Sequence, residues 1–322
     1  MDFKSFNPLL ILVIIISNNS YSQVKKIDES RDYLMTSRRQ FSPEIIEKLK
    51  STTTVFFLKE NTRSFNDSIK AVVKSVWDLS PIIFADIDDY KKYSTDLKYS
   101  YFCIDASWEL VKRGLFAEYF NSSMRVYLTL HVSTEVLKKG KLNSVGLCRI
   151  ELFPDAKTLQ LLIDAADWDA INKINYENAV FHNWSPVFLK AQIETLKSNL
   201  KNNRRIGLYE SIKSDSLTQF LLQDTLYVSK NLLFTFKDRP VREKENEENL
   251  FKNYNYKYRI CTDAELYDIF EIQKRGRLLF EYVKSSSDKI IIIYDMKNKN
   301  ILYRRHSPMS RNMTAKDIEI IE

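Results

Sequence analysis

Glycine is scarce in this chain, with five in 322 residues, where about 7% is ordinary. Phosphate cradles of the GxGxxG or GxxxxGK[ST] type and nucleophile elbows of the GxSxG type need closely placed glycines, and none of these patterns occurs. Histidine is as sparse. His131, His182 and His306 lie far apart and form no HExxH or HxH, so no transition-metal cluster can be read from spacing. Cysteine is limited to Cys103, Cys148 and Cys261, which allows at most one intramolecular disulfide and leaves the pairing open. Cys103 and Cys148 fall in apolar strand patterns, where a thiol acts as a small buried hydrophobe. No metal and no cofactor is expected from these patterns. Beyond the N-terminus no run approaches the ~18 apolar residues that a membrane span needs, so no transmembrane segment is expected in the mature chain.

What is present begins with an address. A short polar start precedes the apolar octet Leu9–Ile16, and a polar stretch follows with Ser20 and Ser22 placed for a cut before Gln23. That plan predicts a secretory signal peptide cleaved between Ser22 and Gln23, and hence a periplasmic or secreted protein. The hydrophobic fraction of 44% and aromatic fraction of 13% suffice for a real core. The net charge of +7 is spread in short groups rather than along one face. An exported protein without a continuous basic face is not expected to bind nucleic acid.

The chain divides into the leader 1–22, a linker and lead-in helix 23–50, a first unit 51–155, a connector 156–203 and a second unit 204–322. In the first unit Thr52–Leu58, Pro81–Ala85 and Tyr99–Ile104 read as strands, with a helix over Ser64–Leu79. A helix over Trp108–Tyr119 and strands over Arg125–Val132 and Val145–Phe153 follow. The connector holds a helix opened by Ser185 and Pro186, with Leu189, Ile193, Leu196 and Leu200 on one face. In the second unit Tyr256–Ile260 and Arg277–Val283 read as strands around a short helix capped by Thr262. Lys289–Tyr294 and Ile301–Arg305 flank a polar turn and predict a hairpin. An ungapped offset of 176 residues places Phe84 on Ile260, Asp86 on Thr262 and Phe102 on Leu278. Duplication and two independent units obeying the same physics both account for it. The expected fold is α/β in the mixed α+β sense, two similar small mixed-sheet units joined by a helical connector after a cleaved signal peptide.

Asp86, Asp88 and Asp105 stand after predicted strand ends, where α/β sheets bind ligands. Paired carboxylates there suit a divalent cation or general acid–base work. The alternative is that Asp86 caps the short helix and Asp88 favours its positive end. The histidines show no partner in the sequence. Trp108 and Trp184, in less regular segments, are candidates for ligand stacking.

The run IIFADID resembles the DxD strand end of the haloacid-dehalogenase phosphatases, but Tyr90 stands where that family carries Thr or Val, and no later acidic metal motif follows. The leader ending in SYS before Gln23, and the abundance of Lys, Asn, Ile and Tyr, resemble secreted proteins of the Bacteroidota. The whole chain resembles conserved proteins of unknown function from those bacteria. The strand, acidic cap, short helix, strand unit is similar to α/β domains of periplasmic envelope-assembly factors of the curli-pore and Tol-associated type. No functional residues carry over. The expectation is a non-catalytic binding or envelope-associated interaction protein, its partner another envelope protein or an anionic surface. The alternative is a secreted hydrolase using carboxylates near Asp86 and Asp105, with a divalent cation.

Overall fold

The structure is a computed structural model that describes residues 40–59, 63–112, 119–136, 142–233, 247–285, 288–308, 312–319 and 321. Ser22 and Gln23 lie outside these residues. Residues 40–322 belong to one compact unit. Within it are α1 (Pro43–Lys50), β1 (Thr53–Leu58), α2 (Arg63–Val76), β2 (Ile82–Asp86), α3 (Tyr90–Ser94), β3 (Tyr99–Lys112), β4 (Tyr119–Val136), β5 (Leu142–Gly146) and β6 (Ile150–Glu151). The connector contributes α4 (Ala156–Ile163), α5 (Trp168–Lys173) and α6 (Pro186–Lys201). After it come β7 (Ile212–Lys213), α7 (Leu217–Gln223), β8 (Leu226–Ser229), α8 (Glu247–Phe251), β9 (Tyr258–Cys261) and α9 (Asp263–Tyr267). The hairpin strands β10 (Leu278–Ser285), β11 (Asp288–Asp295) and β12 (Asn300–Ser307), then α10 (Ala315–Glu319), complete the fold. The class is α/β with two mixed sheets. No helix among the described residues is long and apolar enough to cross a membrane.

The two sheets follow one path. The first runs β2-β1-β3-β4-β5, and the second runs β9-β8-β10-β11-β12 with β7 added at the edge. In each, the first three strands are parallel and the next two are antiparallel hairpin neighbours. A short helix also precedes each central strand, α1 before β1 and α7 before β8. Register makes the correspondence residue-specific. Phe56 pairs with Phe84 and Phe102, and Val228 pairs with Ile260 and Phe280. Phe84 therefore matches Ile260 as the offset predicts, but Phe102 matches Phe280 rather than Leu278. The second crossover is two residues longer and holds a π turn, Asp268–Ile272. A slip of two keeps every side chain on its own face, whereas a slip of one would reverse them all. Gly276 closes this crossover against Phe270; a Cβ there would lie 2.6 Å from that ring, so the tight return admits no side chain.

Aromatic strands fill both faces of the first sheet. Phe56 meets Phe84, Phe102 and Trp184, while Phe57 on the opposite face meets Tyr90, Tyr93 and Tyr101. The predicted α6 face of Leu189, Ile193, Leu196 and Leu200 enters this first core. Its other face, Val187, Phe188 and Ala191, enters a second core with Leu266, Phe270, Leu279 and Tyr294. One helix thus lies between the two sheets and belongs to both, which is why apolar residues surround it rather than form a single stripe.

Three elements differ from the sequence reading. Trp108–Tyr119 is not a helix: β3 continues to Lys112 and pairs with β4 from Tyr119, because cross-strand partners outside any local window decide its state. The segment Val145–Phe153 is broken into β5 and β6, both paired to β4. The central strand β8 is four residues long, too short to show a period, and its Leu226 and Val228 are fully buried between β9 and β10.

Candidate functional site

The carboxylates singled out from the sequence do not converge. Asp86 shares the face of Phe84 and Phe56 in the parallel register, and Asp105 lies on the opposite face with Tyr101 and Cys103. Asp86 occupies the N-cap position of the 3-10 turn Ile87–Asp89, yet its side chain makes no capping hydrogen bond. Both Asp86 and Asp88 are exposed. Thr262, its counterpart, makes a full capping box with Glu265. Trp184 is 8% exposed and packed against Phe56 and Phe181, so it offers no stacking surface. Trp108 lies in β3, and its side chain is outside the described residues.

What the fold does bring together is Cys103, Asp105 and His131. Alternation puts Tyr101, Cys103 and Asp105 on one face of β3. The antiparallel register, Tyr101 opposite His131 and Cys103 opposite Thr129, adds His131 and Thr129 to the same face. The His131 Nε2 lies 2.8 Å from Asp105 Oδ2, and the Cys103 thiol donates to Asp105 Oδ1 over 3.4 Å. Their donor atoms all lie within 4.8 Å of one another. Tyr101 stacks on the His131 ring at 5.1 Å and fixes its plane. The Arg149 guanidinium covers the neighbouring Tyr127 ring at 3.8 Å.

Burial pushes the Asp105 carboxyl up, but the His131 ring and the hydrogen bonds from His131 and Cys103 outweigh it and hold the carboxyl below its ordinary range. Burial, then the Asp105 charge and hydrogen bond, drive the Cys103 thiol well above the usual thiol value. The thiol is therefore a proton donor here, not a ready nucleophile. The side chains of His131 and Asp105 remain 20% and 34% exposed, so solvent reaches the cluster. Thiol, carboxylate and imidazole together are the donor set that transition metals take from proteins. All three cysteines are buried free thiols.

Sequence reading missed this grouping because no local pattern joins Asp105 to a histidine 26 positions on. The matching parities of Tyr101–Cys103–Asp105 and Tyr127–Thr129–His131 were the available signal, awaiting a register. His306 likewise finds a carboxylate, lying 3.0 Å from Asp288, which also binds Arg125 at 3.0 Å. His182 packs edge-on against Phe153, and burial lowers its pKa.

The fold and the cluster define an α/β protein with two like-ordered mixed sheets and one half-open polar site. Comparison with family models, curated proteins and solved structures gives no match.

Proposed function

We propose that the protein is exported, with Gln23 as its mature N-terminus, and works by binding as an envelope-associated interaction protein in the periplasm or outside the cell. The observation that carries this reading is the largely filled seam between the sheets, where a two-unit enzyme would keep its cleft and this chain keeps a small hollow lined by Phe153, His182, Asn183, Phe188, Asn231 and Tyr282. Helix α6 occupies that layer, and polar pairs lock it. Arg125 binds Asp288, Ser285 binds Glu151, and Asn183 and Gln192 donate to Glu281 at 2.7 and 2.6 Å. The separation of Asp86 from Asp105 adds support, since the carboxylate-pair hydrolase needs both on one side. The outer edges of β2 and β9 carry no further strand among the described residues. Such edges take an added strand from a partner.

The test has two arms. In a Gram-negative host, fractionation and intact mass should give an envelope or extracellular protein beginning at Gln23, and photocrosslinkers on β2 or β9 should capture a discrete envelope partner. A cytosolic protein retaining Met1, or turnover of an ester, phosphoester, glycoside or peptide that Asp105→Asn abolishes, overturns the reading.

A further inference from the structure

We propose that Cys103, Asp105 and His131 form a binding site for one transition-metal dication, Zn²⁺ by its ligand chemistry, with the fourth coordination position open to solvent. The inference is independent of the role proposed above.

The donor set selects the ion. A thiol beside an imidazole disfavours Ca²⁺ and Mg²⁺, which take oxygen ligands, and suits Zn²⁺, which takes sulfur, nitrogen and carboxylate oxygen together. Spacing agrees. Tetrahedral zinc with bonds of about 2.0–2.3 Å sets neighbouring ligand atoms roughly 3.3–3.7 Å apart. Cys103 Sγ lies 3.4 Å from Asp105 Oδ1 and His131 Nε2 lies 2.8 Å from Asp105 Oδ2. One donor atom from each residue falls within 4.8 Å of the others, so the widest separation has to close by at most about one ångström around the metal. All three ligands sit on paired strands inside the first sheet, and Tyr101 holds the imidazole plane, so little ordering is left for the metal to impose. The partial exposure of Asp105 and His131 supplies both an entry path and room for a water or a partner's donor atom.

Proton balance follows from the hydrogen bonds. The Cys103 thiol loses its proton to solvent as the Zn–S bond forms. His131 gives up its Nε2–H bond to Asp105, presents the Nε2 lone pair and carries its proton on Nδ1. The metal thus takes the place of the thiol proton, which leaves to solvent.

The second sheet supplies an internal contrast. Through the register, Cys103 matches Glu281 and His131 matches Tyr294. That pair is joined at 2.6 Å, but Glu281 is 1% exposed and its remaining oxygen is taken by Asn183 and Gln192. Glu281 and Tyr294 are both sealed in the second sheet, whereas in the first Cys103 is buried and His131, with its partner Asp105, keeps partial exposure.

The test is titration of the purified, chelator-treated chain with Co²⁺ and with Zn²⁺. One equivalent of Co²⁺ should give a thiolate-to-cobalt charge-transfer band that Zn²⁺ displaces, and Zn²⁺ should raise the melting temperature. Cys103→Ser should remove the band, and Cys103→Ser, Asp105→Asn and His131→Gln should each weaken Zn²⁺ binding at least about 100-fold. Cys148→Ser and Cys261→Ser should leave the band in place. Circular dichroism checks each variant's fold, and half-exposed His131→Gln decides the matter if Cys103→Ser does not fold. No band in the folded wild type, a band that survives Cys103→Ser, or binding indifferent to all three ligand variants overturns the proposal.

Discussion

The two sheets share a strand order and differ in what covers the same face. In the second, the face carrying Leu279, Glu281 and Tyr294 is turned to α6, and its one carboxylate is enclosed by three donors. In the first, the corresponding face looks away from α6; Tyr101 packs on Tyr90 of a short helix and is buried with Cys103, while His131 and its partner Asp105 stay partly exposed. A common path therefore fixes where a polar pair can stand, and the neighbouring layer decides whether that pair is a strut or a site. Buried donors and acceptors must all be matched, and an open cluster can keep capacity for a ligand.

The comparison is most severely tested in the cores. Phe102 and Phe280 are register equivalents and both are fully buried. Phe102→Ala and Phe280→Ala should each cost about 3–5 kcal/mol in urea unfolding, and a large difference would break the equivalence of the sheets. Next comes the polar pair. Glu281→Ala leaves Asn183, Gln192 and Tyr294 donating into a void and should cost about 3 kcal/mol, against about 1 kcal/mol or less for half-open Asp105→Ala. Equal losses would refute the distinction between sealed and open.

Titration sharpens the same point. Burial raises the Glu281 carboxyl above its unfolded value, so its contribution is complete below the unfolded pKa and is lost as pH rises through the folded one. Glu281→Gln should flatten that fall in a stability–pH profile. Lys59, buried over the Phe181 ring at 4.8 Å, is brought down to about 7 by burial. The unfolded chain then holds the extra proton between about 7 and the ordinary 10.5. Stability should rise with pH across that window in the wild type and not in Lys59→Met. The smallest effect lies at the caps. Thr262→Ala should cost about 1 kcal/mol, and Asp86→Ala only a few tenths, because only Thr262 bonds its helix.

Much of this architecture could be read where sequence and local physics agree. The β11–β12 hairpin was legible because two apolar strands flank a polar turn. Asp295 accepts from the backbone of Lys297 and Asn298, and Lys299 takes the left-handed conformation at φ 58°. Helix α6 was legible from Pro186 and its spacing, but its second apolar face made sense only once a second sheet lay against it. The short strand β8 and the outer part of the β3–β4 pair, past Ile104 and before Arg125, were not legible, since both are settled by partners distant in the chain. The candidate site was half legible. Asp105 drew attention as a strand-end acid, but β3 runs on through it to Lys112, so it stands in mid-strand; Cys103 read as core and His131 as an edge residue until pairing brought the three together.

Because α6 serves both cores, the protein cannot be divided at its apparent midpoint. A fragment ending before Pro186 strips the front sheet of its cover, and a fragment starting after Lys201 bares the flank of the back one. Either piece would present a greasy slab to water and precipitate or bind chaperones, so expression trials, protease mapping and split-reporter fusions should treat Gln40 onward as indivisible.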